Sequence, residues 1–159
     1  METIRSRTIL QKKIPKNSKR LKMEQQQQRV IEICTAWDLY ENTTEEKQIL
    51  KFYTELGEYA DAVLRDDRDA IIDAIGDMAV CLINAEYLCE EISDSYYYNS
   101  TTVHDLVIFA ACRDYEHTLL ILSSLAESHG TTLEHCLDTV INVIEKRKGK
   151  MINGVFVKE

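Results

Sequence analysis

Residues 70–85, AIIDAIGDMAVCLINA, constrain this chain more than any other stretch. At 100° per residue, Ile71, Ile72, Ile75, Met78, Leu82 and Ile83 cover most of the circumference of a helix. A helix that is apolar on nearly every face must be wrapped by others, so the rest of the chain has to supply amphipathic partners. Asp73 and Asp77 interrupt the pattern, about 40° apart on the helical wheel. Both are expected in or beside the core. After Arg68 no lysine or arginine appears before Glu91.

The flanking sequence supplies those partners. Over residues 24–39, Val30, Ile31, Ile33, Cys34 and Trp37 mark an amphipathic helix behind a short glutamine run. Asn42-Thr43-Thr44-Glu45-Glu46 carries cap chemistry, with Glu46 three residues after Thr43 as in a capping box. A helix is therefore predicted over about 44–64, a polar turn at residues 65–68, and the apolar helix over about 68–92. The segment SDSYYYNSTT reads as a loop, and one or two helices follow over about 102–128. Thr131-Thr132-x-Glu134 opens a last helix running to about 147, and Asn153-Gly154 between β-prone runs signals a hairpin. The expected fold is all-α: an antiparallel bundle of about five helices with a short β-hairpin-like tail.

Charge divides the chain in two. Residues 1–22 hold eight Lys/Arg against one acid; the remainder holds eleven bases against twenty-six acids. The first segment reads as a disordered basic extension, and residues 23–159 as one domain. A body that acidic repels phosphate, so nucleic acid is expected to bind, if anywhere, on the basic arm. No apolar run reaches the length of a membrane span, and the basic N-terminus lacks the apolar core of a secretory signal. The five cysteines form no CxxC pair and mostly sit in apolar stretches, as reduced thiols of a cytoplasmic protein would. His104, His117, His129 and His135 are scattered, without zinc-ligand spacing.

Function is concentrated on two stripes. Gln48, Lys51, Glu55, Glu58 and Ala62 recur at spacings of 3, 4, 3 and 4 along one helix, bordered by Phe52, Tyr59 and Val63. Asp66, Asp69, Asp73, Asp77, Val80 and Asn84 repeat the arrangement on the next. Carboxylates from two packed helices in a low-dielectric setting repel one another unless a proton or cation intervenes. Hard oxygen donors suit Mg²⁺ or Mn²⁺, the cations that accompany polyphosphates. Gly57 and Gly76 sit beside the acidic positions, where small residues allow helices to approach closely.

Read together, Gln48-x-x-Lys51-x-x-x-Glu55-Leu-Gly-Glu58 and Asp73-Ala-Ile-Gly-Asp77 resemble the all-α nucleoside triphosphate pyrophosphohydrolases, the MazG-like proteins and their dimeric dUTPase relatives. The ending from Asn142 through Arg147-Lys148-Gly149-Lys150 to Glu159 resembles that of short MazG-like proteins of phages and prophages. The resemblance covers roughly residues 29–92 and 131–159. It implies Glu55, Glu58, Asp73 and Asp77 as ligands of Mg²⁺, with Mn²⁺ as a substitute. Gln48, Lys51, Asn142, Lys146, Arg147 and Lys150 would contact a nucleoside triphosphate, and Glu55 and Glu58 would serve catalysis. The implied reaction is water attack at the α–β phosphoanhydride, giving a nucleoside monophosphate and pyrophosphate.

The chain departs from the family pattern in four places. Thr54 stands where a glutamate is common, Ala74 where the first acid of the second motif falls, and Glu145 where a tail lysine is common, with Lys146 beside it; residues 93–128 look inserted. Thr54 and Ala74 keep a second reading open, a non-catalytic helical binding or interaction module. The apolar stripe Val103, Leu106, Val107, Phe109, Ala110, Leu119, Leu120, Leu122 and Leu125 exceeds what one small bundle needs, and part of it is expected in an oligomer interface. The resemblance implies a homodimer or homotetramer. Trp37 is expected in the core rather than on a nucleobase.

Overall fold

A computed structural model describes residues 18–90, 102–152 and 155–159 of the chain. Its helices are α1 (Ser18–Ala36), α2 (Leu39–Asn42), α3 (Glu45–Leu64), α4 (Arg68–Leu88), α5 (Val103–Ala111), α6 (Tyr115–Ser128) and α7 (Leu133–Ile144). Two strands close the chain, β1 (Gly149–Ile152) and β2 (Val155–Lys158). The all-α fold with a small β tail is the one the patterning predicts. Residues 1–17 of the basic arm, residues 91–101 with Tyr96, Tyr97 and Tyr98, and the Asn153-Gly154 turn lie outside the described residues.

The described helices number seven: the first predicted helix is broken after α1, and the 102–128 segment takes the two-helix form of the one or two expected. Asp38 adopts a left-handed φ of 58° and leaves α2 as a single turn; Arg113, at φ 59°, separates α5 from α6. Neither reversal shows in hydrophobic periodicity, which runs through both breaks. Side-chain oxygens start the helices by accepting from otherwise unpaired N–H groups. Thr44 accepts from Lys47, Asp67 from Ala70, Asp114 from His117 and Thr132 from His135. The cap of α3 is thus Thr44, one residue past the expected Thr43. The first helix also starts earlier than the 22/23 boundary, at Ser18. Within its opening turns Lys22 bonds Asp138 of α7 at 2.8 Å and Gln26 donates to the backbone of Glu134 at 2.7 Å.

Helix α4 is the hub, packing against α1, α3, α6 and α7. Ile75, Met78, Ala79, Leu82 and Ala85 lose all contact with solvent there, joined by Phe52 of α3, Leu122 of α6 and Leu137 of α7. Gly76 permits one of these approaches: a Cβ at that position would meet Val140 Cγ2 at 2.5 Å and the Cys136 carbonyl oxygen at 2.6 Å. Gly57 permits none, since a Cβ there meets nothing within 4 Å. The expectation that both glycines tighten helix packing holds for Gly76 alone, and its partner is α7.

The 103–126 stripe is largely absorbed by the fold. Leu106, Phe109, Ala110, Leu119 and Leu122 are core residues, and Val107, Ile108 and Leu120 remain exposed. In the tail, β1 and β2 pair antiparallel with Ile152 opposite Val155 and Gly149 opposite Lys158. The hairpin is pinned to the end of α1: Met151 N–H donates to the Trp37 carbonyl at 2.8 Å, and the Trp37 and Phe156 rings lie 4.7 Å apart. No helix among the described residues is long and apolar enough to cross a membrane.

Candidate functional site

After the turn at residues 65–67, α4 doubles back along α3, and the two acidic stripes meet along this helix pair. Glu55 lies deepest, only 4% exposed, while Glu58 and Asp73 reach solvent and Asp77 is half-buried. The Lys51 ammonium, one turn before Glu55, forms an ion pair with its carboxylate, the favourable i, i+4 geometry of a helix face. That contact holds the Lys51 pKa above its ordinary value.

Asp77 records how these charges add. Burial first, then the negative charges of Glu55 and Asp73, push its carboxyl up to about 7, against the pull of Arg147 and Lys51 in the other direction. A proton or a cation relieves such a carboxyl. The carboxylate oxygens are hard donors of the kind divalent cations take, and Lys51 and Arg147 act on Asp77 with opposite charge. Among the described residues, no three His, Cys, Asp or Glu side chains converge closely enough to hold a metal ion as they stand. Lys51 occupies Glu55 in that arrangement and supplies part of the positive charge itself.

The remaining candidates separate by position. Gln48 is buried and donates to Thr43 Oγ1 at 3.1 Å, a contact that braces the start of α3. Ala74 is a core residue, and Asp73 beside it is exposed. Thr54 is exposed and donates back to the Leu50 carbonyl at 3.3 Å. Asn142 and Lys146 are exposed at the end of α7 and just beyond it. Lys150 is paired with Asp38 at 2.9 Å on the α1–α2 junction. Arg147 is the tail cation acting on Asp77. It also lines a cleft of about 380 Å³ with Trp37, Arg29, Lys148 and Lys150. Asn84, at the far end of the α4 stripe, accepts from Tyr40 Oη at 2.8 Å and is a core contact.

Cys81 is a member of the site that stripe reasoning passed over. Its buried thiol lies within the fields of Glu55 and Asp77 and is pushed up by burial and then by those two charges. The available signal was its i, i+4 spacing from Asp77. Trp37 packs partly into the core, as expected, yet one side borders the Arg147 cleft, whose lining also carries Glu32, Glu145 and Glu159. No family model, no curated protein and no solved structure matches this chain.

Proposed function

We propose that the chain is a Mg²⁺-dependent nucleoside triphosphate pyrophosphohydrolase, with the α3–α4 acidic stripe as its active site. The observation that carries the reading is Asp77, a half-buried carboxyl raised to about 7 between Glu55 and Asp73 with Lys51 and Arg147 at its edge. Glu55, Glu58, Asp73 and Asp77 are the residues that would hold the cation. The cation would supply Lewis acidity and lower the pKa of the attacking water. Lys51, released from Glu55, would turn to a phosphate oxygen, leaving Glu55 to take a proton from water. Arg147 would screen the polyphosphate's charge from the opposite side, with Lys146 and Asn142 near it. Balanced, the reaction breaks the α–β anhydride: water's oxygen joins the α-phosphorus and pyrophosphate leaves with the second proton. A cytoplasmic homodimer or homotetramer belongs to the same proposal.

Purified protein with Mg²⁺ or Mn²⁺ is expected to release pyrophosphate, not orthophosphate, from at least one member of a panel of NTPs and dNTPs. Glu58→Gln and Asp77→Asn should each abolish that release with helicity unchanged by circular dichroism; full activity in either would remove the assignment. A second reading, a non-catalytic helical binding module, is favoured by Lys51 sitting on Glu55 and by Ala74 in the core. Mn²⁺ separates the two, since a ligand of the native state raises the melting temperature and an idle scaffold shows no shift.

A further inference from the structure

A second concavity, of about 530 Å³, opens between α1, α4 and α6. Its floor is apolar, built from Met23, Leu119, Leu120 and Leu133, and Leu120 remains 58% exposed. Its walls carry Glu24, Glu86 and Glu116 against Arg20, which is paired with Glu24 at 3.1 Å. Glu86 and Glu116 have no cationic partner among the described residues. Burial and then the Glu116 charge raise the Glu86 pKa. An apolar floor beneath unpaired carboxylates fits an occupant that brings aliphatic carbon and positive charge together.

The chain carries such an occupant next to the cleft. Arg20 lines the cleft two residues after Ser18, where the described chain begins, and seventeen residues precede it. They include Ile9-Leu10-Gln11-Lys12-Lys13-Ile14, with five Lys/Arg against one acid over residues 1–17. Lys13 stands five positions before Ser18, a reach of about 17 Å when extended. So short a tether sets a local concentration on the order of millimolar, well above that of any free competitor of equal affinity. We propose that the cleft between α1, α4 and α6 is the docking site of the chain's own basic arm, with Lys12 and Lys13 set against Glu86 and Glu116 and Ile9, Leu10 or Ile14 on the apolar floor. The acidic body then holds the arm in cis, and a polyanion reaches the arm only by competing with these carboxylates.

Zero-length carbodiimide cross-linking of the full chain, read by mass spectrometry, tests this. Two pairs serve as internal controls, Lys22–Asp138 at 2.8 Å and Lys150–Asp38 at 2.9 Å. The expected result is a link from Lys12 or Lys13 to Glu86 or Glu116, lost in the double variant Glu86→Gln/Glu116→Gln. Trypsin should cut after Lys12 and Lys13 about fivefold faster in that variant at low salt, with the difference shrinking as salt rises. Control links without an arm link would overturn the proposal. So would arm links found only between isotopically light and heavy copies in a mixed sample, which would make the occupant a second copy. Swapping charges, with Glu86→Lys/Glu116→Lys combined with Lys12→Glu/Lys13→Glu, should restore a carbodiimide link between positions 12 or 13 and positions 86 or 116; its absence would also count against the proposal.

Discussion

Burial and the charges of Glu55 and Asp73 move Asp77 from an ordinary 3.8 to about 7, and this has a consequence for stability. Between those two values the folded chain keeps a proton that the unfolded chain has released. Stability contributed by this group is therefore greatest at low pH and falls as pH rises from about 4 to about 7. In EDTA, Asp77→Asn should melt above the parent at pH 8, and the gap should narrow as pH falls toward 4. Melting curves followed by circular dichroism measure it; two curves that stay parallel across the range would contradict the burial of this carboxyl. The sharing of one stripe by Lys51 and Glu55, and of another by Asp73 and Asp77, was legible in the sequence from i, i+4 spacing; the ion pair of Lys51 with Glu55 was not. The reach of Arg147 to Asp77 was not, because some seventy residues of chain separate them and only packing of α7 on α4 joins them.

Among the elements, α4 was the most legible, since a helix apolar on nearly all faces has one physical solution, burial at the centre. Its two neighbouring glycines look alike in sequence and behave differently in the fold. Gly76→Ala drives a methyl into Val140 and the Cys136 carbonyl and should destabilise by about 1–3 kcal/mol in urea unfolding. Gly57→Ala meets open space on an exposed helix face and should stabilise by about 0.5–1 kcal/mol through helix propensity alone. Equal effects would mean that α7 does not seat against Gly76. The break at Asp38 was illegible for a related reason, and the sequence left open whether residues 102–128 form one helix or two. Neither Asp38 nor Arg113 is a glycine, and their left-handed backbone is set by the elements on either side.

For the molecule as a whole, the tail decides how the last basic residues are presented. Its hairpin is anchored on Trp37, the single tryptophan, through Phe156 and the Met151 backbone bond. Phe156→Ala should shift Trp37 fluorescence to the red and cost about 1–2 kcal/mol, with the far-ultraviolet helical signal unchanged. An unshifted spectrum would mean that the tail does not cover that ring. The hairpin itself was legible from Asn153-Gly154 between β-prone runs; its docking on α1, and the pairing of Lys150 with Asp38, were not.

The sequence alone determined the all-α class, the central place of α4 and the two acidic stripes, because helix periodicity and burial act on residues close along the chain. Only the tertiary structure decided that Glu55 is buried while Glu58 and Asp73 are exposed, that the buried Cys81 feels the charges of Glu55 and Asp77, and that Arg147 acts on Asp77. Burial and long-range charge depend on which surfaces meet, and that is fixed by packing between elements distant in the chain.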